Sequence, residues 1–72
     1  MASDKTRERA FKTYAVYQAK RDALGLSDYA VAQAAGITAS SISDWKNGSY
    51  TPKYEKLAKI AAVINESADI FV

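Results

Sequence analysis

The chain has 72 residues, 49% of them apolar and 25% charged, and ten Lys and Arg against eight Asp and Glu give it a formal net charge of +2. A chain of this length builds one small core, and its lack of any Cys or His excludes disulfide staples, zinc fingers, thiol nucleophiles and Ser-His-Asp catalysis, each of which needs a thiolate or an imidazole. No run approaches the ~18 consecutive apolar residues that cross a bilayer, and the polar opening from Met1 to Arg9 lacks the apolar centre of a signal peptide, so a cytoplasmic protein without membrane association is expected.

Three glycines and one proline divide the chain into helix-length pieces, and none of them shows the alternation of a strand. The expected fold class is all-α, a compact bundle of about five helices that forms a single domain over residues 1–72. In the first piece Ala10, Tyr14, Tyr17 and Leu24 recur at helical spacing with Phe11 beside them, which predicts a helix from 4 to 24 that ends at Gly25. Lys5, Arg7 and Arg9, interspersed with Asp4 and Glu8, read as the exposed first turns of that helix rather than as a free arm. Ser27 is placed to accept from the unpaired amides of a second helix over about 28–35, and Asp28 suits the positive end of its dipole. Gly36 supplies the positive φ that stops this helix, and Thr38 caps a third over about 39–46, closed by Asn47-Gly48. Thr51 as N-cap with Pro52 at the first helical position predicts a fourth helix over about 52–64. Its apolar stripe is Leu57, Ile60, Ala61 and Ile64, with Lys53, Lys56 and Lys59 largely off it. Ser67 caps a last short turn, and the chain ends on the apolar Ile70, Phe71 and Val72.

The informative stretch runs from about 28 to 47. Val31 and Ala35 face inward from the second helix, Ala32 is small enough for close approach, Gly36 makes a tight turn and Ile37 plugs the corner. Ile42 and Trp45, three apart, form the inward stripe of the third helix, which leaves Ala39, Ser40, Ser43 and Asp44 facing outward.

The run L-S-D-Y-A-V-A-Q-A-A-G-I-T-A-S-S-I-S-D-W-K-N-G, continued by T-P-K-Y-E-K-L-A-K-I-A, resembles the helix-turn-helix domains of phage repressors and Cro proteins over roughly residues 26 to 62. The resemblance rests on small Ala32, turn Gly36, corner Ile37, buried Ile42, terminating Asn47-Gly48 and the fourth helix, all at the family's spacing. It implies a transcriptional regulator, a Cro-like or phage- or prophage-type repressor, whose third helix lies in the major groove while the second crosses the DNA backbone. Ala39, Ser40, Ser43 and Asp44 then stand where the family presents side chains to base edges. Ser hydrogen-bonds to several bases, Asp accepts from a cytosine amino group, and the Ala39 methyl suits a thymine methyl. Thr38, Lys46, Asn47, Tyr50 and Lys53 flank that helix as the candidates for phosphate contacts. Two positions depart from the family's habit: Asp28 replaces a frequent Gln at the start of the second helix, and Ala39 replaces a long polar side chain. The implied partner is double-stranded DNA with a pseudo-palindromic operator bound by two copies, and Ile70, Phe71 and Val72 are candidates for the contact between them.

Trp45 reads as core rather than as a partner anchor, because it shares the inward stripe with Ile42. The five tyrosines edge a small core more readily than they stack on bases, since a duplex offers no open base faces. Asp28 and Asp44 have no nucleophile or metal-ligand set beside them, so neither an enzyme, a cofactor nor a small-molecule substrate is expected. The rival from another class is a helical protein-interaction module of the antitoxin or anti-repressor kind, which requires an exposed apolar patch.

Overall fold

Four α-helices and one 3-10 turn succeed one another in the computed structural model, which describes residues 4–71: α1 (Asp4–Ala23), α2 (Asp28–Ala35), α3 (Ala39–Lys46), α4 (Tyr54–Val63) and the turn Ala68–Phe71. The fifth helix of the expected bundle is therefore a single 3-10 turn, and the described residues contain no strand. Helices α2 and α3 have the predicted bounds because each carries its own start and stop signals. Ser27 Oγ accepts from the Ala30 amide at 3.1 Å and Thr38 Oγ1 accepts from the Ser41 amide at 3.3 Å, so each side chain satisfies an amide that has no partner within its helix.

Both helices stop in the same way. The Ile37 amide returns to the Ala32 carbonyl and the Gly36 amide to Gln33, while Ser49 returns to Asp44 and Gly48 to Trp45. This paired closure places the residue after the cap in the left-handed region, where Gly36 has φ +72° and Gly48 φ +82°. Asn47 stays right-handed, with φ −82°, so Gly48 alone supplies the reversal. A side chain at Gly48 would also collide at 2.8 Å with the Arg7 stem and the Phe11 ring. The glycine thus lets the first half of α1 lie directly over the loop that follows α3.

The core is one cluster built around Trp45, Tyr17, Ile42, Ile60 and Val31. Helix α1 packs on α3 and on the C-terminal turn, α2 packs on both α3 and α4, and α4 covers the turn. The stripe Leu57, Ile60, Ala61 and Ile64 is buried as predicted, as are Ala10, Tyr14 and Tyr17 on α1. Leu24 and Phe11 are corrections: they are 46% and 47% exposed. Leu24 lies beyond the end of α1, and the next inward place after Tyr17 falls to Arg21, four residues on.

The start of α4 is a second correction. The helix begins at Tyr54 with Lys53 as its N-cap and no side-chain cap, and Thr51 Oγ1 is buried without a hydrogen-bond partner. The reason is packing, since the Pro52 ring is among the most deeply buried side chains in the molecule. That ring pins residues 51–53 to the core as a connector, and the helix starts only after it. Asp69 donates its amide to Ser67 Oγ at 3.2 Å, so the last turn starts where Ser67 was expected to cap it.

Candidate nucleic-acid interface

The outer face of α3 is open and the inner face is locked. Ala39, Ser40, Ser43 and Asp44 are all exposed, and the side chains of Ser40, Ser43 and Asp44 take part in no hydrogen bond or ion pair with other described residues. Directly behind them Ile42 and Trp45 are each 0% exposed. The Trp45 indole N–H donates to Thr13 Oγ1 at 2.9 Å, and that hydroxyl in turn donates to the Arg9 carbonyl of α1 at 2.8 Å. Tyr14, Tyr17 and Phe71 surround the indole at centroid distances of 5.3, 5.0 and 5.8 Å. A short polar surface is therefore mounted on a rigid aromatic base, with its donors and acceptors uncommitted.

The flanking candidates fall into two groups. Lys46, Asn47 and Lys53 are exposed on either side of the loop after α3. Thr38 is exposed, but its hydroxyl is occupied as the α3 cap and lies 2.9 Å from Ser41 Oγ. Tyr50 is only half exposed, and its hydroxyl is buried without a partner, so the atom expected to meet a phosphate is turned away from solvent. Folding adds one cation that the sequence left on the surface of α1: the Arg7 stem lies against Gly48, beside that loop.

The C-terminal residues behave differently from their expected role between copies. Phe71 is buried with its ring edge-on to Trp45, because the 3-10 turn folds back across α1 and α4. Ile70 is half buried against the same core, and Val72 lies outside the described residues. The apolar tail closes this chain's own core first.

Asp28 is the residue whose surroundings the sequence did not disclose. It opens α2, yet its carboxylate is turned toward α1, where Tyr17 donates to Oδ1 at 2.7 Å, Tyr14 donates to Oδ2 at 2.9 Å and the Arg21 guanidinium binds Oδ1. Arg21 also bonds the Tyr14 hydroxyl at 3.1 Å and Asp22 at 2.7 Å. Partial burial alone would push the Asp28 carboxyl up, but the bonds from Tyr17, Arg21 and Tyr14 hold it below the usual carboxylate range. Burial first, and then the neighbouring Asp28, raise the Tyr17 hydroxyl. The carboxylate that would repel a phosphate is thus neutralised internally, and the same three α1 side chains hold the start of α2. The available signal was the spacing of Tyr14, Tyr17 and Arg21 on one face of α1, although nothing local named their partner.

The family model for helix-turn-helix proteins matches residues 18–71, well over half of the chain. Comparison with curated proteins and with solved structures returns no match. The chain belongs to the helix-turn-helix family of the Cro and phage-repressor type, and it is a DNA-binding transcription regulator whose partner is double-stranded DNA. That family is a DNA-binding regulatory one, not an enzyme family. Among the described residues no helix is long and apolar enough to cross a membrane.

Proposed function

We propose that the protein is a repressor that binds a pseudo-palindromic operator as two copies and occludes a promoter. Helix α3 enters the major groove, with Ser40, Ser43 and Asp44 reading base edges and the Ala39 methyl meeting a thymine methyl. Lys46, Asn47 and Lys53 hold the phosphates on either side and supply most of the affinity through counterion release. The observation that carries this reading is the contrast across α3, where uncommitted polar side chains on one face lie opposite a fully buried Ile42 and Trp45. Thr38 contributes through its cap, which fixes the helix end nearest Ser40. With Phe71 taken up by its own core, Ile70 is the described tail residue left for a contact between copies, whose half-sites lie about one helical turn apart.

A gel-shift titration against a pool of random duplexes tests the reading. Binding is expected at micromolar protein or below, weakening by about 100-fold or more between roughly 50 and 200 mM salt. No shift at either salt concentration, or binding indifferent to salt, would favour the protein-interaction module instead.

A further inference from the structure

Helix α1 carries six of the chain's ten Lys and Arg residues, and folding gives them different surroundings. Lys20 is paired with Glu66, and Arg21 with Asp22 and Asp28. Arg9 and Lys12 line a concavity with Val16, Ile70 and Phe71, on the side where the C-terminal turn crosses α1. Arg7 lies elsewhere. Its Cγ stands 2.8 Å from the place that a Gly48 Cβ would occupy, against the loop that follows α3, and it forms no ion pair with any described residue.

The seat of Arg7 is built by the glycine. Gly48 is buried at φ +82°, and the room left by its missing side chain is taken by Arg7 and by the Phe11 ring, whose Cζ also stands at 2.8 Å. Arg7 and Phe11 are four residues apart and so lie one above the other on α1. The aliphatic stem of Arg7 is thus packed at its base while the residue as a whole stays exposed, which leaves the guanidinium in water. A stem already packed in the free protein loses less side-chain freedom on binding than a mobile surface cation does. Lys46 and Asn47, immediately before Gly48, are exposed as well, so a cation from α1 and the end of α3 share one edge of the interface.

We infer that Arg7 is a further DNA-binding residue of this protein, contacting the phosphate backbone beside the C-terminal end of α3. The inference rests on the proposed entry of α3 into the major groove, which brings the loop after that helix against a phosphate strand. A planar guanidinium suits a phosphate because it can donate two parallel bonds to it. The contact reads no base edge and so adds affinity without specificity. Gly48 then has two roles: it reverses the chain after α3 and makes room for a cation that lies 41 positions earlier in the chain.

The test is binding of the whole chain to a duplex that the native protein selects from a random pool, followed by fluorescence anisotropy over a series of salt concentrations. Loss of one phosphate contact lowers the slope of log affinity against log salt by about 0.9. Counterion release fades toward about 1 M salt, so Arg7→Gln is expected to bind about fifteenfold more weakly at roughly 50 mM and about fourfold more weakly at roughly 200 mM. Arg7→Lys keeps the charge and is expected to keep most of the native slope. Arg9→Gln removes an equal charge about 200° further round the same helix and is expected to keep the native slope. The sequence selected by Arg7→Gln should be that of the native chain, and equal melting temperatures show that the fold is intact. A native slope in Arg7→Gln, or equal losses in Arg7→Gln and Arg9→Gln, would overturn the inference. A changed sequence preference in Arg7→Gln would make Arg7 a base contact and overturn the phosphate assignment. A native chain that binds no duplex overturns the proposed function and this inference together, whereas a native chain that binds with Arg7→Gln as its equal overturns this inference alone.

Discussion

Replacing Trp45 with alanine is expected to cost about 3–5 kcal/mol, the usual range for emptying a large aromatic site. A domain of this size holds only about 5 kcal/mol in total, so the variant should be largely unfolded at 37 °C and its melting midpoint should fall by about 15–30 °C. The effect is large because one side chain joins three elements. Trp45 is wholly buried, meets Tyr14 of α1 edge-on and lies tilted against Tyr17, meets Phe71 of the C-terminal turn and donates its indole N–H to Thr13. Trp45→Phe keeps much of the packing and loses that hydrogen bond, leaving Thr13 Oγ1 without its donor, so a smaller loss of about 1–2 kcal/mol is expected. Circular dichroism melts of the three proteins check the order. A loss below about 1 kcal/mol in Trp45→Ala would mean that α3 is not mounted on this aromatic base.

The second large effect concerns the clamp between α1 and α2. Arg21→Ala removes the guanidinium from a partly buried carboxylate that keeps only its two tyrosine donors, and a cost of about 2 kcal/mol is expected. The figure is moderated by solvent, because the Asp28 side chain is 30% exposed. The same pair sets the acid limb of stability. Asp28 has its folded pKa depressed, so its contribution is fully present above the unfolded carboxylate value of about 3.9 and is lost as pH falls through the lower folded value. Tyr17 works from the other end, since its folded pKa is raised. Its contribution is complete below the unfolded tyrosine value of about 10 and fades as pH rises through the folded one. Urea unfolding at a series of pH values should therefore show a shallower loss below about pH 4 in Asp28→Asn than in the native chain. Identical acid limbs would show that Asp28 is not held by Arg21 and the tyrosines.

The helix-turn-helix itself was legible in the sequence because every signal in it is local. Ser27 and Thr38 each cap the helix that follows them by accepting from an amide three residues on, Gly36 reverses the chain within its own turn, and Ile42 and Trp45 reveal their burial by spacing alone. The start of α4 was not legible, since Thr51-Pro52 has the local pattern of a helix start and only the tertiary burial of the Pro52 ring delays it to Tyr54. The tail misleads for a related reason. Apolar Ile70-Phe71 suits an interface or a core equally well in sequence, and the position of Trp45 in space decides for Phe71. The Asp28 clamp joins residues separated by a turn and depends on the angle between α1 and α2. Of the candidate interface, the outward face of α3 follows from helical period, whereas the buried hydroxyl of Tyr50 does not.

The most direct measurement is selection of preferred sites from random duplexes by the native chain and by Ser40→Ala and Asp44→Ala, followed by sequencing. Both side chains are exposed and uncommitted, so the variants should melt at the native temperature. Each should relax or change preference at one or two positions per half-site, by about 1–3 kcal/mol per lost contact. A native chain with a defined two-fold site and variants with altered preference would place α3 in the groove. Variants that select the same sequence as the native chain with the same stringency would contradict that placement.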